Sequence, residues 1–488
     1  MSVFSTQAES AGARFDFAVA DFAERLAGVI ARIKHSRKLQ RARIHSRLSS
    51  WIDACISSLY IAHGFIRDNS HSLRPLIPFL SIFLATPFFI ASISHAPSAQ
   101  PRPPARKNAS VHVKTGIDVL EEEKFTPLRG KHVGLITNQT GVDAAGLRTV
   151  DVLAHAHGVK LVAIFSPEHG LVGREEARVS STTDPATGLP VFSLYGETRR
   201  PTVDMLNGID TLVFDIQDAG VRFYTFITTM AYAMEEAAKA HISFYVLDRP
   251  APLDGGTIEG PMLDRDRLSF VGYFPMPVRY AMTMGELAQM FNAENKIGAD
   301  LHVIAMKGWR RSERFESTGL AWIPPSPNLR TLNATLLYPG IEILQAGGIS
   351  VGRGTPAPFE IFGAPWLEAD KLADDLNRRN IAGVRFAPAH FTPTSGVYQG
   401  QSCSGVALSI TDPAALRSMT MGLEIASTLT KMYPEEFHLE KIIELLGSAS
   451  TVARLQKGDS PAAIVASWAG DLAAFRKMRD NYLLYPAK

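Results

Sequence analysis

Between residues 132 and 247, four short apolar runs alternate with helical stretches, and this alternation restricts the fold more than any other feature of the chain. The runs are 132–137 (HVGLIT), 161–165 (LVAIF), 211–214 (TLVF) and 244–247 (FYVL). Residues 147–157 carry apolar side chains at helical spacing, and 226–241 are rich in Ala, Met and Glu. Strands apolar on both faces and joined through helices predict a parallel sheet covered on each side. A doubly wound α/β domain over 112–295 is therefore expected.

Each of these runs leads into a polar turn. The first continues into TNQTG with Asn138, the second into SPEHG with Glu168 and His169. The third continues into DIQDAGVRFY, with Asp215, Gln217, Asp218, Arg222 and Tyr224, and the fourth into DRPAP with Asp248. Parallel strands set their carboxyl ends along one edge, where open α/β sheets bind ligands. Four such turns predict a single site. Structural readings stand beside the functional ones: Asn138 as a turn cap, and Asp248 as a helix cap or a partner for Arg249. Asp215, shielded directly after a strand, could be satisfied by Arg222 without any chemistry.

Several functions are excluded by what the turns lack. The loop after the first strand is TNQTGVDAAG, not G-x-G-x-x-G, and no G-x-x-x-x-G-K-[ST] or G-x-S-x-G occurs. No cofactor is expected. His169 beside Glu168 lacks the H-E-x-x-H spacing, and two cysteines, Cys55 and Cys403, cannot build a zinc cage, so no metal is expected. With 50 basic and 48 acidic residues the net charge is +2, which leaves no global field for nucleic acid. Carboxylates, amides, an arginine and the Tyr224 ring at one edge suit a polyhydroxylated ligand.

The first hundred residues are of another kind. Residues 1–72 form an extension with a basic run at 34–47 (KHSRKLQRARIHSR), and 76–93 (LIPFLSIFLATPFFIASI) carries no charge. Arg74 precedes that run and Ser94–Ala96 follow it, the order of a secretory signal over 73–96. A one-pass membrane anchor through 76–93 is the rival reading, although Pro78 and Pro87 interrupt it. No methionine lies between Met1 and Met205, so a start misassigned upstream of Leu73 would make the basic run an artefact. Otherwise that run fits a cytoplasmic flank. A Pro-rich linker occupies 97–111. Export to the periplasm or the extracellular space is expected.

A second, smaller α+β unit is expected over 296–488, closing over the first. It carries a Pro-rich loop at 322–330 (WIPPSPNLR, with Asn328) and a Gly-rich loop at 347–360 (GGISVGRGTPAPFE, with Arg353, Thr355 and Glu360). Prolines stiffen the first, and glycines let backbone approach a ligand in the second. Helices are expected at 281–292, capped by Thr283 with Glu286, and at 367–380 and 413–432. Strands are expected at 301–306, 384–391 and 406–410, and an aromatic plug at 482–485 (YLLY).

The motifs TNQTG, SPEHG, DIQDAGVRFYT, LDRPAP, PSPNLRT, SVGRGTPAPFE, FGAPW and YLLY, in this order from 112 to 485, resemble the NamZ-type exo-β-N-acetylmuramidases, a family formerly known as a domain of unknown function. The resemblance implies a Rossmann-like domain packed on a smaller one with a cleft between them. It also implies release of terminal β-1,4-linked N-acetylmuramic acid from the non-reducing ends of peptidoglycan fragments. The SPEHG glutamate is Glu168, the expected catalytic carboxyl; His169, Asp218, Arg222 and Tyr224 would position the sugar. Arg222 or Arg353 would bind the lactyl carboxylate. The second carboxyl is open among Asp215, Asp218 and Glu360. Where many relatives carry glutamate ahead of GRGT, this chain has Gln345, and Pro356 replaces the usual polar residue after it. A non-catalytic muropeptide- or sugar-binding protein on the same fold is the alternative that Gln345 favours.

Overall fold

The strand β1 (His132–Thr137) is buried along all but its first residue, because Val133 and Leu135 point to one face and Ile136 to the other, and both faces are covered. In the computed structural model, which describes residues 113–175 and 179–487, β1 lies near the middle of a seven-stranded sheet. The other strands are β2 (Lys160–Ser166), β3 (Thr182–Thr183), β4 (Pro190–Ser193), β5 (Thr211–Asp215), β6 (Ser243–Leu247) and β9 (Leu301–Ile304). Their order is β3-β4-β2-β1-β5-β6-β9, parallel throughout except for the β3 edge. The chain winds outward from β1 through β2 to β4, then returns to β5 and winds the other way. The switch point therefore falls between β1 and β5, the position expected of a doubly wound site.

The helices α1 (Gly116–Glu122) and α2 (Thr149–Ala154) cover one face through Ile117, Leu120, Val150 and Leu153. The helices α3 (Phe226–Lys239) and α4 (Met284–Glu294) cover the other through Phe226, Met230, Leu287 and Phe291. α4 begins at the expected capping box: Glu286 N–H donates to Thr283 Oγ1 at 3.3 Å and Thr283 N–H donates to Glu286 Oε2 at 3.0 Å. β7 (Glu259–Met262) and β8 (Pro277–Arg279) form a separate antiparallel ribbon. β9 pairs with β6, so the sheet takes its last strand from beyond the boundary expected at 295/296. The segments 1–72, 73–96 and 97–111 lie outside the described residues.

The core on the α3/α4 face continues without a break into the C-terminal part, through α5 (Leu332–Ala346) and α7 (Ser418–Met432). α6 (Ala369–Arg378) packs on an antiparallel sheet of order β10-β12-β11, built from β10 (Ile361–Ala364), β11 (Val384–Phe391) and β12 (Cys403–Ile410). α5 was not expected, because Pro339 and Gly340 stand in its middle. Gly340 is required there: a Cβ would meet the Ser418 carbonyl oxygen at 2.1 Å, where α5 crosses α7.

The expected aromatic plug returns to the first sheet. Tyr485 donates its hydroxyl to Asp248 Oδ2 at 2.5 Å and accepts from Met306 N–H at 3.0 Å, while its ring stands edge-on to Trp309. Tyr485→Phe keeps the ring and removes both bonds from a buried site. An expected loss of about 2–3 kcal/mol should appear as a lower urea midpoint with an unchanged m-value.

Candidate active site

After β2 the chain turns through Ser166-Pro167-Glu168-His169-Gly170, with His169 and Gly170 both left-handed at φ 71° and 73°. His169 Nδ1 lies 2.6 Å from the Glu175 carbonyl. A carbonyl only accepts, so Nδ1 carries the proton and a neutral ring keeps Nε2 as acceptor. Glu168 is half-buried. Its Oε2 accepts from Thr225 Oγ1 at 2.5 Å, and it also accepts from the Tyr195 hydroxyl, whose pKa is pushed up to about 12 by burial and then by this carboxylate. Tyr195 follows β4, and Thr225 stands at the start of α3 after β5. The segments that follow β2, β4 and β5 thus meet at Glu168.

The C-terminal part supplies the opposite wall. α5 carries Tyr338, Glu342 and Gln345, and the Gly-rich loop carries Arg353. Arg353 donates from Nη2 to Glu342 Oε1 at 2.5 Å and from Nε to Gln345 Oε1 at 2.9 Å. Its guanidinium also lies 5.1 Å from the Phe359 ring centroid. Gly354 beside it is forced, since a Cβ would meet Ser395 N at 2.3 Å and φ is +73°. Tyr224 stacks edge-on against Tyr338, at 6.0 Å between centroids, and against Phe226 at 4.8 Å. Burial pushes both tyrosine hydroxyls well above the usual range, and the charges of Glu168 and Arg353 bear on each. Glu342 is only 6% exposed, and burial raises its pKa; Arg353 works against that rise and Glu168 adds to it. Glu168, Tyr224 and Arg353 are thus brought together as expected. Tyr195, Thr225, Tyr338 and Glu342 join them unforeseen.

Other expected site residues are occupied elsewhere. Asp215 is 0% exposed, accepts from Arg249 Nε at 2.5 Å and Nη2 at 2.8 Å, and takes Thr149 Oγ1 at 2.5 Å. Its partner is Arg249 rather than Arg222, and its oxygens are spent on the scaffold, which removes it from the catalytic pair. Arg222, also 0% exposed, donates to the carbonyls of Pro261, Met276, Leu445 and Leu446. Burial lowers its pKa to about 9, and it cannot reach a substrate carboxylate. Arg353 remains for that role. Asp248 accepts from Gly285 N–H, Arg249 N–H, Thr283 Oγ1 and Tyr485, which makes it a structural anchor rather than a sugar ligand.

The remaining polar residues shape the loops. Asn138 Oδ1 accepts from Thr140 N–H and Oγ1, the turn cap foreseen as its alternative. Gln217 Nε2 donates to the Asp218 and Pro250 carbonyls. Asp218 Oδ2 accepts from Gly220 N–H and the Tyr280 hydroxyl, and burial lifts its pKa to about 6. Asn328 is buried in the Pro-rich loop, which Gln139 Nε2 ties to the β1 turn through the Pro324 carbonyl. Thr355 Oγ1 donates to the Gly352 carbonyl. Glu360 Oε1 accepts from Thr331 Oγ1, the cap of α5, so Glu360 braces that helix rather than supplying the second carboxyl. Among the described residues no group of three His, Cys, Asp or Glu side chains could hold a metal ion.

A buried glutamate, a second glutamate held by hydroxyl donors, and an arginine at the carboxyl edge of a doubly wound sheet define an α/β protein equipped for acid–base work on a polar substrate. Comparison with known proteins narrows this class. Residues 133–333 match the family described as exo-beta-N-acetylmuramidase NamZ, N-terminal, and 336–485 match its C-terminal counterpart. The peptidoglycan beta-N-acetylmuramidase NamZ of Bacillus subtilis (strain 168) is 43% identical over 395 residues, 80% of this chain and 95% of that protein. Crystal structures of two DUF1343 family proteins from Bacteroides fragilis NCTC 9343 are similar, with TM-scores of 0.72 and 0.64 at 41% and 30% identity. Each covers 77% of this chain and 99% of its own. The chain belongs to the NamZ exo-β-N-acetylmuramidase family.

Asp215→Asn leaves Arg249 buried against an uncharged partner. The expected cost is about 3–5 kcal/mol, seen as a lower denaturation midpoint with turnover per folded molecule unchanged. Lost turnover at undiminished stability would return Asp215 to the chemistry.

Proposed function

We infer that this protein is an exo-acting glycosidase that releases β-1,4-linked N-acetylmuramic acid from the non-reducing ends of peptidoglycan fragments. The observation that carries the reading is Arg353, a cation that already seats a carboxylate at 2.5 Å and that bears, as Glu168 does, on Tyr224. N-acetylmuramic acid differs from N-acetylglucosamine by a lactyl ether ending in a carboxylate, and a guanidinium fork binds such a group bidentately. Tyr224 and Tyr338 offer aromatic edges beside it, as a sugar site requires. The 43% identity to a peptidoglycan β-N-acetylmuramidase supports the same substrate class.

Glycoside cleavage needs two carboxyl groups, one to protonate the leaving oxygen and one to attack or to activate water. Glu168, held by Thr225 and Tyr195, belongs to that pair. The purified full-length protein should release the chromophore from an aryl β-N-acetylmuramide and not from the matching N-acetylglucosaminide. Glu168→Gln should lower that rate by about 10²–10⁴-fold. Equal turnover of both sugars, or undiminished turnover in the variant, would remove the muramidase reading.

The substrate polymer lies outside the inner membrane, and the uncharged run 76–93 supports export as a cleaved signal or as an anchor. The protein should fractionate with the periplasm, the medium or the membrane. A wholly cytosolic pool would overturn this part of the proposal.

A further inference from the structure

Tyr338, Glu342 and Gln345 stand at i, i+4 and i+7 on α5 and so share one helical face. Two of them hold Arg353, Glu342 through Oε1 and Gln345 through its amide oxygen. The other oxygen of Glu342, Oε2, is buried and has no hydrogen-bond partner. An ionised carboxyl in that position leaves an acceptor unsatisfied at a cost, whereas a protonated one carries an O–H that needs an acceptor. Glu168 differs in environment, since both contacts described for it are O–H donors. The two carboxyl groups thus differ in their partners: hydroxyl donors hold one, and the other keeps a buried oxygen without a partner.

The charged groups that bear on Glu342 are Arg353, which favours its ionised form, and Glu168, which with burial favours the protonated one. The phenols of Tyr224 and Tyr338 stay neutral, because burial pushes both far up. The balance turns on Arg353. A substrate carboxylate seated on that guanidinium adds a negative charge beside Glu342 and takes over its cation. Both effects draw a proton onto Glu342.

We propose that Glu342 is the proton donor to the departing glycosidic oxygen, and that the lactyl carboxylate of the substrate sets this proton in place by engaging Arg353. The proposal rests on the muramidase reading and assigns its second carboxyl. As the C1–O bond breaks, its electron pair stays with the leaving sugar's oxygen, which takes the proton from Glu342 Oε2. Glu168 attacks C1 or deprotonates the water that does. Water's hydroxyl ends on C1: on the first route Glu342 takes the proton of the water that displaces Glu168, and on the second Glu168 passes the water's proton to solvent, from which Glu342 is reprotonated. Specificity then resides in catalysis as well as in binding, because a sugar without the lactyl group leaves Glu342 ionised against Arg353.

Leaving-group dependence tests this. A 2,4-dinitrophenyl β-muramide needs no protonation to depart, whereas the disaccharide MurNAc-β-1,4-GlcNAc does. Glu342→Gln should lower kcat/KM on the disaccharide by at least about 100-fold and leave kcat/KM on the dinitrophenyl substrate nearly unaffected, which also reports that the variant is folded. Glu168→Gln should lose both. Adding Gln345→Glu to Glu342→Gln restores a carboxyl one turn along α5 on the same arginine, and should recover part of the disaccharide activity. Amidation of the lactyl carboxylate should reduce wild-type kcat on the disaccharide while raising only KM on the dinitrophenyl glycoside. Equal loss on both substrates in Glu342→Gln, or no loss on either, would overturn the assignment. Failure of the wild-type protein to cleave any muramide would instead remove the muramidase reading itself.

Discussion

The buried pair of Asp215 and Arg249 fixes the geometry on which the site depends. It joins the ends of β5 and β6 at the edge where the sheet changes direction, and reaches α2 through Thr149 and the β1 turn through the Val142 carbonyl. The turns after β1, β5 and β6 and the start of α2 are thereby held together. Two charges inside a sheet are expensive to desolvate, and the paired hydrogen bonds of the guanidinium fork offset that expense. The result is a rigid edge from which the loops after β2, β4 and β5 can bring Glu168, Tyr195 and Thr225 to a common point.

The opposite wall obeys a steric constraint rather than an electrostatic one. α5 lies against α7 at Gly340 and Gly422, where a Cβ on either residue would strike the other helix. This close crossing sets the height of α5 above the sheet, and with it the positions of Tyr338, Glu342 and Gln345. Glu360, on the cap residue Thr331, and Arg330, on the Thr355 carbonyl, brace the start of the helix and the loop that carries Arg353. Residues that a motif comparison places around a sugar therefore act one step away from it, by holding the elements that present the reacting groups.

Much of the first domain was legible in the sequence. β1, β2, β5 and β6 fall within a residue of their apolar runs, since continuous β-branched stretches have few other uses, and the Thr283–Glu286 box marks the start of α4. Glu168, Tyr224 and Arg353 stood out because they follow strands or lie in a glycine-rich loop. Glu342 did not, because Tyr338-Pro339-Gly340 looks like a break, although Pro339 is accommodated inside α5. The partner of Asp215 was hidden for a different reason. In sequence Arg249 touches Asp248, but the pairing of Phe214 with Val246 brings its side chain back across the sheet to the end of β5. Neighbours created by register are invisible until the register is known.

The contact between Tyr485 and Asp248 spans 237 positions. During synthesis β6 and its buried carboxylate emerge long before the tyrosine that satisfies it, and domains fold from the amino-terminal side as they appear. Until the last segment arrives, the edge of the sheet carries a solvated aspartate where a closed hydrogen-bond set will stand. Closure of this seam therefore waits for Tyr485. A chain broken between Phe475 and Tyr485 keeps the packed helices yet leaves Asp248 short of one donor, an unfinished seam in an otherwise formed core.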